Sequence, residues 1–433
     1  MARSIATRGG AAKVSSAVMV EFAKSNDGQP VNFGLRPWSF VFAFGLVSLF
    51  ADMVYEGARS IIGPYLATLG ASATLVGLIA GAGELIGYGL RLGSAYFVSR
   101  SRHYWTWTIA GYALTVLSVP LIGASGGLIG AMLLYGGERL GKAVRSPAKD
   151  TLLSHASAAT GRGKAFGIHQ FMDQLGAVAG PLLLAAMLGW RPLDYRFAFA
   201  TLSVPGVVVL ALLLWLRARV PDPQAYESRA DAESAAKSGS PVVKPGASGR
   251  SALPRRYWQF VAAVAMLSCG IASFPLLAFH AQTKHLLSDA AVPVLFAVAM
   301  LVDGVTGLLV GHAYDRRGPI VLLAVPIAAC GAALAFAQSA ALVWIGVAIW
   351  GMVNGILDST VKAAVTSLVP STSRALAFGW LSLVRGLGLL VAGGLLGVAY
   401  DHSIFLTVVL IVGANVLALA GLSRVVAGRG PAH

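Results

Sequence analysis

The sequence predicts an all-α membrane protein of twelve transmembrane helices, set out as two pseudo-symmetric six-helix bundles. Three observations predict it. Hydrophobic residues make up 56% of the 433 residues and charged residues only 12%. A soluble domain carries roughly 25% charge, so this chain has too little polar surface to coat a globule of its length in water. The apolar runs have the length of a bilayer crossing, ~20 residues each. The chain also repeats itself. Ala165-Phe166-Gly167 opens an apolar run holding Gly176 and Gly180-Pro181, and Ala377-Phe378-Gly379 opens a second run holding Gly388 and Gly393. The two openings match without a gap, because 377 − 165 and 388 − 176 are both 212. Asp173 and Arg385 occupy one shared position (385 − 173 = 212) and differ in charge.

The first half, 39–217, carries spans at about 39–66, 72–98, 104–124, 127–146, 164–189 and 196–217. The second, 257–422, carries spans at about 257–282, 291–313, 319–338, 341–366, 375–398 and 402–422. Residues 1–38 and 423–433 are polar tails, and the N-terminal one has no apolar stretch of a signal peptide. Residues 218–256 form a linker, marked by Pro221, Pro223, Ser238-Gly239-Ser240-Pro241 and Pro245-Gly246. The 51 glycines suit close helix packing in lipid.

The net charge of +15 is topological. Taking every other connection from the N-terminal tail collects Arg100, Arg102, Lys149, Arg162, Lys164, the linker's bases, Arg316, Arg317, Arg374 and Arg424. The opposite connections hold only Arg191, Arg196 and Lys284. Both tails and the linker are therefore expected in the cytoplasm. No nucleic-acid motif is present, so no nucleic-acid partner is expected. Cys269 and Cys330 lie in apolar runs with no CxxC and no His partner, and imply neither a metal nor a cofactor. There is no HExxH, GxSxG or phosphate loop, so an enzyme or an ATP-driven pump is not expected.

Charge within a span costs at least ~2.5–3.5 kcal/mol per group, so each one asks for a reason. Asp52, Glu84, Glu138, Asp173 and Asp303 lie near the midplanes of spans one, two, four, five and eight, and Arg139 and Arg385 near those of spans four and eleven. Glu56 and Arg59 sit further out on the first span, and Asp358 and Lys362 lie on the tenth. Asp52 and Glu56 share a face at i, i+4, while Glu56 and Arg59 can pair at i, i+3. Burial favours a neutral carboxyl and a neighbouring Arg favours a charged one. A carboxylate held between these pushes can exchange a proton as the bundles rock. Asp52 leads the proton-coupling candidates, because its span has no cation at the same depth. Asp173 follows, with Arg139 or Arg385 able to hold it, and Glu56, Asp303 and Glu84 complete the set. Arg139, Arg385, Arg59, Asn354 and His169 are candidates for a substrate cavity, with His169 also able to relay a proton to Asp173. The deep arginines tilt the substrate toward one with an anionic group. The bland alternative is that these charges are structural pairs, Asp173–Arg385 locking the halves together and His169 and Asn354 serving as packing contacts.

Gly311-His312-Ala313-Tyr314-Asp315-Arg316-Arg317-Gly318 is similar to the cytoplasmic motif of the major facilitator superfamily, with the last Gly displaced by one. Its first-half counterpart, Ala95 to Arg100, keeps the Arg but has Ser99 in place of the Asp. Gly167, Gly176 and Gly180-Pro181 resemble that family's antiporter motif, with Leu183-Leu184 replacing its final Gly-Gly. Residues 48–56 have the look of an uncharacterised bacterial permease branch. Over residues 38–422 the chain thus resembles that superfamily. The resemblance implies its fold, a bacterial inner (cytoplasmic) membrane location and a monomer. It implies a latch of Asp315, Arg316, Arg100 and Gly311, and tight helix packing at Gly167, Gly176 and Gly180 with a bend at Pro181. The expected function is alternating-access secondary transport of a small organic solute, coupled to protons, with efflux favoured over uptake. The alternative is a transport-like membrane receptor or assembly factor.

Overall fold

In hydrocarbon every backbone N–H and C=O must find its partner inside its own segment, so apolar runs of this length become helices. The computed structural model describes residues 34–158, 160, 162–230, 253–370 and 373–427, and no strand occurs among them. The expectations for residues 1–33, 231–252 and 428–433 lie outside the described residues.

The first half comprises α1 (Pro37–Thr68), α2 (Ala73–Ser101), α3 (Tyr104–Ala124), α4 (Leu128–Ala158) and α5 (Arg162–Trp190), with the sixth span divided into α6 (Tyr195–Thr201) and α7 (Ser203–Arg219). The second comprises α8 (Arg255–Cys269) and α9 (Phe274–Thr283) in the seventh span and α10 (Ala291–Arg317) in the eighth. The ninth is α11 (Ala324–Ala332) between two short 3-10 turns. α12 (Ala340–Leu368), α13 (Arg374–His402) and α14 (Ile404–Ala427) follow. Local signals set the boundaries. Pro37 begins α1, the Ser72 hydroxyl accepts from the Leu75 N–H to cap α2, and Asp194 does the same for α6 through Phe197. Gly318 ends α10 at φ +67°, a conformation open to glycine alone at little cost.

Ten segments among the described residues are long and apolar enough to cross a membrane. One of them, Ala291–Phe336, runs through the Gly318 break and so covers the eighth and ninth spans together. α4 is outside the ten because residues 128–145 contain Glu138, Arg139, Lys142 and Arg145.

One expectation fails in the seventh span, which is not a continuous helix. Residues 270–273 are unwound between α8 and α9. The freed carbonyls are satisfied from other spans: Asn415 donates to Gly270 O at 2.9 Å and the Trp350 indole to Ala272 O at 2.8 Å. A break in membrane is tolerated where neighbours supply such partners.

Backbone-to-backbone contact at glycines joins the helices. A Cβ on Gly176 would sit 2.2 Å from Leu49 O, and one on Gly180 2.3 Å from Met53 O, so α5 lies directly on α1. Across the halves α2 runs along α13, where Gly77 faces Gly393 and Gly397 faces Ala73. α5 meets α10, where Gly304 accommodates the Gln174 side chain. These two joints, second span with eleventh and fifth with eighth, are pseudo-symmetric equivalents. Gly167 departs from expectation: nothing lies within 4 Å of where its Cβ would be. It lies on an exposed face of α5, whose packed face is already buried at Ala165. α5 continues as helix through Pro181.

Candidate functional site

Between the halves lies a cavity of about 240 Å³. Its closed end is at the loops opposite the linker. There Asp401, at the end of α13, accepts hydrogen bonds from the Ala73 N–H (3.0 Å), the Thr74 N–H (2.9 Å) and the Thr74 hydroxyl (2.6 Å), satisfying the first turn of α2 from the other half. Gly63 lies against Pro275 O, and the Tyr195 hydroxyl donates to Asp289 at 3.1 Å. Toward the linker side the cavity wall is open: Asp358 lines it and its side chain is 60% exposed.

α1 supplies one wall. Asp52, Glu56 and Arg59 fall on one face and all line the cavity. Arg59 lies between two carboxylates, 3.6 Å from Glu56 and 3.2 Å from Glu84 on α2. Glu84 is shared with Arg139, at 3.6 Å, and Arg139 is 2.7 Å from its neighbour Glu138. α1, α2 and α4 are thus tied by one chain of alternating charge. Lys142 continues it, 4.0 Å from Glu56 and 4.1 Å from the Tyr55 ring centre. Arg145 is 3% exposed and lies 4.1 Å from the Tyr112 ring centre. An aromatic face offers a desolvated guanidinium partial compensation.

The opposite wall comes from α10, α12 and α13. Asp303, Asn354 and Arg385 all line the cavity, with Trp350 beside them. Asn354 donates to its own Trp350 carbonyl at 2.9 Å. Arg385 is 3.3 Å from Asp358 and 5.3 Å from the Tyr88 ring centre, reaching α2 across the gap.

Several sequence expectations are redirected. Arg139 does not line the cavity; at 1% exposure it faces the packing of α2 and α4, where Gly83 makes room for its stem. His169 is likewise buried behind the wall, bonded to the Ser48 hydroxyl at 2.8 Å and 3.4 Å from Asp173. Asp173 does not reach Arg385. Its partners are His169 and Lys149, the latter at 4.0 Å, because equivalent positions of a pseudo-twofold fall on opposing walls. The latch residues stand away from the site. Asp315, Arg316 and Arg100 are exposed and form no ion pair among the described residues, and Gly311 has nothing within 4 Å. The contacts that join the halves at the closed end, Asp401 with α2, Tyr195 with Asp289 and Gly63 with Pro275, are not marked by the motifs. Tyr55, Tyr88 and Lys142 were also not singled out as lining residues. For Tyr55 and Tyr88 the signal was position, within one turn of Asp52 and Glu84 on the cavity face; Lys142 has no such neighbour on α4 and is recognised only from the packing of α4 against α1.

The chain matches the family model described as Major Facilitator Superfamily over residues 44–393. An uncharacterised protein of Mycobacterium tuberculosis is 46% identical over 390 residues, covering 89% of this chain and 92% of that protein. An uncharacterised MFS-type transporter of Methanocaldococcus jannaschii is 25% identical over 177 residues, 41% of this chain and 44% of that one. Among solved structures, the nucleoside transporter NupG superposes with a TM-score of 0.66 at 11% identity, covering 89% of this chain and 99% of that one. A bacterial homologue of the human lysosomal transporter Spinster, in an inward-facing and occupied conformation, superposes at 0.67 and 16% identity, covering 91% and 99%. At such identities the likeness is one of fold.

Proposed function

We propose a coupling chemistry for this chain, which belongs to the major facilitator superfamily and is a multi-pass membrane transporter. It moves a small organic solute by alternating access and drives the movement with protons, in the direction of efflux from a bacterial cytoplasm. One observation carries this reading. Carboxylates from both halves line a single cavity, and Asp52, 7% exposed, has no cation within ion-pair distance among the described residues. A carboxyl so placed exchanges a proton at modest cost when the rocking of the halves changes its access to water.

The residues divide the work by position. Asp52 and Asp173 sit on neighbouring faces of α1 and α5, where Gly176 brings the two helices together. From Asp173 a short polar line runs through His169 to Ser48, a route for a proton between the cavity and the wall behind it. The Glu56–Arg59–Glu84–Arg139 chain holds the N-terminal half's wall at fixed charge. The linker-side opening, with both tails and linker in the cytoplasm, makes this the inward-open state, stabilised at the far end by Asp401.

The cavity is smaller than the roughly 300–1,000 Å³ of drug-sized pockets, which favours a compact solute. The test is proton flux in proteoliposomes containing a pH-sensitive dye, scanned with a panel of compact amines, neutral solutes and carboxylates. A solute-dependent proton movement that disappears in Asp52→Asn is the expected result. Flux that persists unchanged in Asp52→Asn sinks Asp52 as the coupling group. Absence of flux with every solute leaves the fold serving reception or assembly.

A further inference from the structure

The transport reading leaves the charge of the solute open, and the cavity's own electrostatics address it. Six carboxylates and three basic side chains line it. Every one of the bases is already engaged by the protein. Arg59 lies between Glu56 and Glu84, Lys142 lies against Glu56 and the Tyr55 ring, and Arg385 is held by Asp358 and the Tyr88 ring. Asp173 is met from behind by Lys149. Two lining carboxylates have no cation within ion-pair distance among the described residues: Asp52 and, on the opposite wall, Asp303.

Their surroundings differ. Asp52 shares its neighbourhood with Asp173 and the His169–Ser48 line. Asp303 sits on the more apolar wall. It approaches α12 at Gly355, where a Cβ would lie 3.0 Å from its Oδ1. Trp350 and Asn354, one turn apart on α12, border the same space, with the indole fixed by its bond to Ala272 O. Phe296 stands 6.4 Å from the Trp350 ring. A lone carboxylate, an amide oxygen to which no described group donates, and the Trp350 indole form the environment that suits an organic cation. An anionic solute would instead have to take Arg59 from Glu56 and Glu84, which is the expensive way to break a buried pair, or displace Asp358 from Arg385, an exposed and cheaper pair to break that leaves a carboxylate beside the anion.

We propose that the C-terminal half's wall binds a compact organic cation, a protonated amine or amidinium, whose charged group sits against Asp303 with Trp350 and Asn354 flanking it. This rests on the reading of the chain as a solute transporter. It reverses the anionic tilt that Arg139 and Arg385 suggested, since neither is free to receive a solute. It also assigns the two unpaired acids to different tasks, Asp52 to the proton and Asp303 to the solute.

The full chain in lipid nanodiscs, with direct binding of a charge-matched probe set, tests the proposal: phenethylammonium and choline as cations, 2-phenylethanol as the neutral isostere, 3-phenylpropionate as the anion. Expected is saturable binding of a cation, with the neutral and anionic probes weaker by roughly tenfold or more. Asp303→Asn should lose about tenfold of cation affinity, and Asp303→Glu should recover part of it. Equal binding of all charges, preference for the anion, or no cation binding overturns the proposal, and this comparison needs no variant to fold. Unchanged cation affinity in Asp303→Asn moves the site elsewhere and also overturns it. The two readings fail separately. Cation binding without solute-driven proton flux sinks proton coupling and leaves this site, whereas flux driven by an anion sinks this site and leaves proton coupling.

Discussion

The two halves use the same joint and furnish it differently. In the first, Gly176 of α5 lies against Leu49 O and the Asp52 Cβ of α1. In the second, Gly388 of α13 lies against Ala265 O and the Ser268 Cβ of α8. The contacts correspond atom for atom, with Asp52 in the place of Ser268. The joint therefore forms with a hydroxyl as well as with a carboxylate, and Asp52 is not needed for packing. The same contrast runs through the walls. The N-terminal half ties α1, α2 and α4 together by a chain of alternating charge. The C-terminal half presents isolated groups, Asp303 and the exposed Asp358–Arg385 pair, among Trp350 and Asn354. One half's wall is a network of paired charges; the other's holds few charges, set beside Trp350 and Asn354.

The largest test of this comparison is at the joints themselves. Gly176→Ala puts a methyl 2.2 Å from a backbone oxygen, whereas the nearest atom to Gly388→Ala is a side-chain carbon at 2.8 Å. We expect a loss of about 3 kcal/mol for the first and about 1 kcal/mol for the second, read as thermal unfolding in detergent. Equal losses would show that the joints are not furnished as described. Next comes the charge chain. Glu84→Gln removes the charge shared by Arg59 and Arg139 but keeps one accepting oxygen, and should destabilise by about 2–3 kcal/mol. Asp358→Asn, at a pair whose acid is 60% exposed, should cost less than about 1 kcal/mol. A reversed order would contradict the assignment of structural charge to the N-terminal half. The smallest effect is expected at Asp401→Asn. Asn keeps one accepting oxygen where Asp401 uses two, so the cap on α2 weakens by only about 0.5 kcal/mol, enough to shift the balance of facing states about two-fold. Spin-label distances between the loop-side ends of α2 and α13 should broaden toward longer values, and an unchanged distribution would remove Asp401 as the closure of that end.

Much of the fold was legible because lipid is a simple solvent. It demands ~20 apolar residues per crossing, and α1 to α5 and α12 to α14 appear where the runs predict them. The glycine repeat was legible for the same reason, since Gly176 and Gly388 do make equivalent contacts. The break at residues 270–273 is marked locally only by Gly270 and Pro275, residue types that also occur inside unbroken helices here, as Pro181 does in α5; Asn415 and Trp350, far along the chain, make it tolerable. Partner choice was the least legible. Asp173 and Arg385 share a repeat position, and depth alone suggested that they pair. The pseudo-twofold places them on facing walls, where Lys149 and Asp358 are nearer.

By itself, then, the chain determined which stretches lie in the bilayer, that there are two copies of one unit, and which charges must be sheltered. These follow from hydrophobicity and spacing, which are properties of neighbours in sequence. Tertiary structure decided which charges face the cavity, which are spent on one another, and which two acids are left over. Ion pairing falls steeply with distance, and distances across a bundle are set by helices that meet from opposite ends of the chain.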